Sequence, residues 1–187
     1  MSEEKRKRIM DVAFRLFSDK GFHGTTTAKI AKESKIATGT LFNYFKTKEE
    51  LINELYLQVN VDLHEYIADK VDLSLESETV IRDIWLAIIQ WEVEYKERFL
   101  FHVQYSSSPF IRYCKDDIPT EYSFFFSDVL DNFINEGLVK KQDSKLFKMY
   151  FEYSARAMSM YFINNNLPFN LEISQNQFDI FWNGLKA

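Results

Sequence analysis

Between residues 25 and 48 of this 187-residue chain, hydrogen-bonding side chains crowd together: Thr25, Thr26, Thr27, Thr38, Thr40, Asn43, Tyr44, Lys46 and Lys48. Hydroxyls, amides and ammonium groups of this kind donate and accept hydrogen bonds, which suits recognition better than bond making. No nucleophile–base pair, paired-carboxylate signature or phosphate-cradling glycine loop is visible, so the chain is not expected to be an enzyme. His23, His64 and His102 stand too far apart for a metal-ligand pattern, and neither metal nor cofactor is expected. The single cysteine, Cys114, excludes an intrachain disulfide and fits a reducing cytosol.

Charge separates the same region from the rest. The net charge of −5 hides a head (residues 1–48) at +6 and a body (49–187) at −11. A basic head on an acidic body concentrates attraction for an anionic polymer in one place. An ordinary solvated helix is the alternative, since Lys5 to Arg8 alone supplies four of those charges. Hydrophobic residues at 46% and charged ones at 27% match a soluble globular protein. No apolar run approaches the ~18 residues of a membrane helix, and the charged N-terminus lacks a secretory signal's apolar stretch. A cytoplasmic location without a membrane partner is therefore expected.

The elements that position these groups read as helices throughout. Ile9, Val12, Ala13, Leu16 and Phe17 form one apolar stripe, predicting a first helix over 3–20, ended by a left-handed Gly21 with Phe22 folded back. The Thr25-Thr26-Thr27 run caps a short second helix to about Ser34 around Ile30 and Ala31. A third spans 38–45, with Leu41, Phe42 and Phe45 read as core. Thr47-Lys48-Glu49-Glu50 is a capping box that opens a long fourth helix. Further helices are expected over 77–95, 97–105, 119–136, about 143–163 and 174–186. Only three prolines and five glycines interrupt the chain, and no strand alternation or repeat appears. The predicted fold is all-α: a three-helix helix-turn-helix domain (1–47), then a larger helical domain (48–187) entered by helix 4.

Two short helices joined by a tight turn, the second polar outside, can enter a major groove ~12 Å wide. Gly21-Phe22, Thr25-Thr26-Thr27, Ile30-Ala31-Lys32-Glu33, Ile36, Gly39-Thr40-Leu41-Phe42-Asn43-Tyr44-Phe45 and Lys46-Thr47-Lys48-Glu49-Glu50-Leu51 together resemble the DNA-binding domain of the tetracycline-repressor (TetR) family. The resemblance covers roughly residues 5–56. It implies that Thr27 holds a phosphate at the start of helix 2. Thr38, Gly39, Thr40 and Asn43 would line the groove, Asn43 bonding a base edge. Tyr44 would reach a phosphate or a thymine methyl, and Lys48 a phosphate. Thr25 reads equally as cap or contact, Lys46 as contact or solvated, and His23 as a loop residue. Three departures stand out: Phe42 where the family commonly has tyrosine, Lys35 at a turn position usually glycine, and Ala37 in place of a hydroxyl cap. The last two each cost about 1 kcal/mol.

The family's C-terminal helices imply a homodimer and a ligand pocket. Tyr153, Ala157, Phe178, Phe181 and Trp182, on the two final helices, are the candidate dimer-interface residues, with monomer core the alternative. Trp85, Trp91, Phe101, His102, Tyr105 and Phe125 are candidates for the pocket, in a region where 25 of 139 residues are aromatic. A small lipophilic effector follows from that richness. Glu92, Glu94 and Glu121 leave room for a cationic one, and an acyl chain is equally compatible. The expected partners are thus a palindromic double-stranded operator, the effector and a second copy. A ligand-released repressor leads, an activator or protein-responsive regulator is the near alternative, and a helical scaffold without DNA the distant one.

Overall fold

A computed structural model describes residues 2–112 and 120–187, and the side chains of 111–127 stand outside that description. Cys114, weighed from the sequence, lies outside the described residues, and the side chains of Glu121 and Phe125 stand outside the description. The described residues form α1 (Glu3–Gly24), α2 (Thr27–Glu33), α3 (Thr38–Tyr44), α4 (Lys48–Lys70), α5 (Ser77–Glu94), α6 (Lys96–Ser106), a 3-10 turn (Pro109–Arg112), α7 (Thr120–Asn135), α8 (Ser144–Asn164) and α9 (Leu171–Leu185). No strand occurs among them, only an isolated bridge between Val139 and Lys186. The architecture is all-α, as the periodicity predicts.

Packing divides the chain into two units: Met1–Asn60 with Glu97–Ile118, and Val61–Lys96 with Pro119–Ala187. In the first, Ile9, Ala13, Leu16 and Phe17 of α1 are buried at the predicted three-and-four spacing. Gly21 breaks the helix at φ 70°, ψ 171°, a conformation essentially reserved for glycine. Beyond it Phe22 returns edge-on to Phe17, ring centroids 5.3 Å apart. Phe101 of α6 meets Phe14, Phe17 and Phe22 at 5.2, 6.1 and 5.4 Å, so α6 is part of this core. Polar ties reinforce it: Ser18 Oγ donates to the Glu97 carbonyl at 2.5 Å and Gln104 Nε2 to that of Ser18 at 3.2 Å. The Tyr105 hydroxyl lies within hydrogen-bonding reach of Asn53 Oδ1 (3.2 Å) and the Phe110 carbonyl (3.1 Å).

The second unit is built on α5, buried along Ile81, Ile84, Trp85, Ile88 and Ile89, against α8 and α9. Asp143 caps α8 by accepting from the Leu146 amide at 3.0 Å. The last helix begins earlier than its apolar pattern predicts. Asn170 is the cap, accepting from the Ile173 amide at 2.9 Å, while Ser174 is buried one turn in and donates to the Asn170 carbonyl. A second correction concerns the interface candidates on α9. Phe178 and Trp182 are core, 1% and 3% exposed, and Phe181 stacks on Trp85 at 6.3 Å. The four-residue step 174–178–182 turns them inward and leaves Ile173, Gln177, Ile180 and Gly184 outside. Tyr153 and Ala157 on α8 are exposed.

Candidate nucleic-acid interface

The helix-turn-helix is assembled by local chemistry that the sequence foreshadows and in places misassigns. Thr26 is the α2 cap, its Oγ1 accepting from the Lys29 amide at 3.2 Å. Thr25 is neither cap nor surface contact. It is fully buried and donates to the Leu16 carbonyl at 2.9 Å, pinning the turn to α1. After α2, Lys35 sits at φ 56°, the left-handed conformation expected at a glycine position. Its backbone turn is closed by the Ile36 amide donating to the Ala31 carbonyl at 3.0 Å. Ala37 stands at the α3 cap with no side-chain hydrogen bond, and Thr38 does not take over the role. In α4 the capping box is shifted by one: Thr47 Oγ1 accepts from the Glu50 amide at 3.0 Å. The Glu50 carboxylate, however, accepts from the Lys46 amide at 2.7 Å rather than from that of Thr47.

On α3, Leu41 and Phe45 are fully buried. Phe42, expected in the core, is 42% exposed. At 100° per residue it lies between Thr38 and Asn43 on the outward side, 100° from Leu41 and 60° from Phe45. The exposed face is therefore Thr38, Gly39, Phe42 and Asn43, while Thr40 and Tyr44 are half-buried at its edge. Gly39 has no intramolecular reason to be glycine. A methyl group built there meets nothing within 4 Å, and its backbone is ordinary helix. Alanine would favour the helix by about 1 kcal/mol, so no contact among the described residues accounts for the glycine.

Around that face the remaining candidates are already held in place. Thr27 is half-buried at the first turn of α2. The Tyr44 hydroxyl accepts from the Ser2 amide at 3.1 Å. Lys48 donates to the Phe22 carbonyl and lies 5.9 Å from the Phe17 ring centre, and burial lowers the pKa of its ammonium. An ammonium has three donors, so this bond leaves others for a phosphate. Arg15 and Glu33 pair at 2.6 Å between α1 and α2. Phe42 is the residue that sequence reasoning missed; numbering the helix by angle against Leu41 and Phe45 would have exposed it.

The six pocket candidates do not come together in one unit. Trp85 and Trp91 are buried in the second, the Trp85 indole donating to Ser154 Oγ at 2.8 Å. Phe101 and Tyr105 are fully buried in the first, where half-buried His102 stacks on Tyr56 at 5.4 Å. The side chain of Phe125 lies outside the description. In the second unit, Glu92 is 6% exposed. Burial pushes its carboxyl up to about 7 despite a hydrogen bond with Ser159 and the nearby Arg156 charge. One of its oxygens has no hydrogen-bond partner. Among the described residues no His, Cys, Asp and Glu group is placed to hold a metal.

Residues 9–55, which contain α2, the turn and α3, match the model for bacterial regulatory proteins of the tetR family. The HTH-type transcriptional regulator AcrR of Shigella flexneri is 27% identical over 117 residues, 59% of this chain and 52% of that one. This chain spans about half the length of the curated relatives it matches. A Shewanella sp. PV-4 structure assigned to the tetR family superposes at a TM-score of 0.86, with 26% identity over 98% of both chains. The fold is also that of the Bacillus subtilis regulator FadR, solved with stearoyl-CoA: TM-score 0.72, 17% identity, 96% of this chain and 98% of that one. These are transcription regulators, not enzymes.

Proposed function

We infer, for a chain that belongs to the tetR family of bacterial regulatory proteins, that it represses transcription by holding a palindromic operator as a homodimer and is released by a small lipophilic effector. The observation that carries the DNA reading is the outward face of α3, where an unneeded glycine and an exposed Asn43 stand beside buried Leu41 and Phe45. Thr38, Gly39, Phe42 and Asn43 enter the groove; Asn43 suits adenine, and the Phe42 ring suits a thymine methyl. Thr27, Thr40, Tyr44 and Lys48 grip the backbone at the edge, setting register rather than sequence. By role, residues 1–47 read DNA and residues 48–187 regulate and dimerise, with α4 joining them, although packing groups α6 with the reading head.

The dimer reading rests on apolar surface that the chain leaves uncovered. Leu146, Met149, Tyr150, Tyr153, Ala157 and Tyr161 recur at helical spacing along the exposed side of α8, and Ile173 and Ile180 do so on α9. Gly184 continues the α9 stripe, and a methyl group there also meets nothing within 4 Å, which leaves room for a close helix approach. Twin heads about 34 Å apart then read successive major grooves. An effector that stabilises another head spacing shifts the population off DNA. The FadR complex supports an acyl-type effector by analogy of fold, and buried Glu92 favours a second reading in which the effector bears a cationic group. The protein works in the cytoplasm beside its operator; no described helix is long and apolar enough to cross a membrane.

The test is binding to DNA flanking the protein's own gene across a salt series. Tight, palindrome-dependent binding that weakens steeply as salt rises is expected. Equal affinity for random DNA contradicts the repressor reading. Release by a long-chain acyl-CoA or by a lipophilic organic cation then decides between the effector classes.

A further inference from the structure

The first two turns of α1 place four consecutive cations, Lys5 to Arg8, directly after Glu3 and Glu4. Helix electrostatics favours anions at this end and disfavours cations by a few tenths of a kcal/mol each, so an internal reason or an external anion must account for them. Arg6 has the internal reason. Its guanidinium pairs with Glu54 of α4, lies 5.4 Å from the Phe45 ring centre and donates to Met10 Sδ at 3.3 Å. Lys5 and Lys7, on either side of it, are exposed and make no ion pair among the described residues.

Where this turn lies matters more than its charge. The Ser2 amide donates to the Tyr44 hydroxyl, and Arg6 covers Phe45, so the start of α1 is fastened to the C-terminal end of α3. A helix lying in a groove ~12 Å wide has a phosphate wall on each side. Any segment fixed to the end of that helix is carried onto one wall. A lysine side chain is flexible enough to find a phosphate there as a point charge.

We propose that Lys5 and Lys7 form a second backbone grip, holding phosphates beside the segment read by α3 and lengthening the footprint of each head without adding sequence preference. The inference rests on α3 being the groove-reading helix. It assigns a role to the basic run that Thr27, Tyr44 and Lys48 leave unused, and it explains why Arg6 is clamped while its neighbours are left in solvent.

The experiment compares the full chain with Lys5→Ala/Lys7→Ala and with Lys5→Arg/Lys7→Arg on a palindromic and a random duplex across a salt series. Alanine at these exposed helical sites preserves the fold, which circular dichroism verifies. Each phosphate contact contributes about 0.9 to the logarithmic salt slope. The alanine pair should therefore lower the slope by about one per lysine per head and weaken both duplexes by the same factor. That factor is roughly tenfold per lysine per head near 0.1 M salt. The arginine pair should keep the wild-type slope. A wild-type slope in the alanine pair overturns the proposal, whether affinity is unchanged or falls equally at every salt. Asn43→Ala runs in parallel: relaxed base choice beside an unchanged lysine slope overturns the lysine grip alone. Unchanged base choice overturns the α3 reading and the grip together.

Discussion

Among the described residues, two helix faces stand exposed in different ways. The α3 face is small and polar around one ring, beside a basic segment. The α8 and α9 faces are apolar and tyrosine-rich, on an acidic body. Each has an exposed glycine that no internal contact requires, Gly39 and Gly184. The contrast teaches that exposure alone does not define a site; the chemistry of the exposed face states what is meant to cover it. A hydrogen-bonding face with cations at its edge fits a polyanion with donors and acceptors in its groove. An apolar face with a gap for close approach fits another helix pair like itself.

Breaking the apolar face should have the larger effect. Tyr153→Glu with Ile180→Glu would desolvate two charges per subunit if the dimer formed, costing several kcal/mol. Sedimentation should show a monomer, and operator affinity should fall by at least about a hundredfold, roughly 3 kcal/mol. A variant that stays dimeric removes α8 and α9 from the interface. Asn43→Ala should leave the dimer intact and cost about 1–3 kcal/mol at one base position per half-site, measured against single-base operator variants.

Beneath the apolar face, Glu92 gives a pH signature near neutrality. Its buried carboxyl titrates near 7 instead of near 4.5, so the folded chain keeps a proton the unfolded chain has lost between those values. The contribution of this carboxyl to stability should fall as pH rises from about 4.5 to 7 and level off above, against an opposite rise from His64, whose imidazole burial pushes down to about 4. Glu92→Gln should remove that fall, gaining up to about 3 kcal/mol at pH 8 and little at pH 4, read by urea unfolding at each pH. Equal effects at both would mean that the carboxyl is not desolvated in solution.

Gly39→Ala separates fold from function within the polar face. It should stabilise the head by about 0.5–1 kcal/mol while weakening operator binding, through the added methyl at the DNA surface. Stabilisation with unchanged binding would move the close approach elsewhere. The smallest expected effect is Lys35→Gly, which relieves the left-handed strain at φ 56° and should raise stability by up to about 1 kcal/mol without changing DNA binding.

Much of the molecule was legible before its coordinates because short-range physics sets it. The Ile9–Phe17 stripe, the break at Gly21 and the strained Lys35 all follow from spacing and φ preference. What was misread depended on partners distant in the chain or on the exact angle of a face. Thr25 looked like one more cap because the Leu16 carbonyl that takes its hydroxyl lies back in α1. Phe42 looked like core because aromatic type outweighed its angle to Leu41, and Phe178 and Trp182 looked like interface for the same reason. The groove residues were legible as a spaced set. The effector residues were not, since aromatics that fill a core and aromatics that line a pocket share the same composition.

The most direct test of the central claim is site-specific photocrosslinking to operator DNA from position 42 on α3, with position 35 in the turn as control. A crosslinking residue at 42 should mark bases at two symmetric sites about 34 Å apart, one per half-site, while one at 35 should mark none. Crosslinks absent from 42, or the same pattern from 35, would contradict the account that this face of α3 reads the groove.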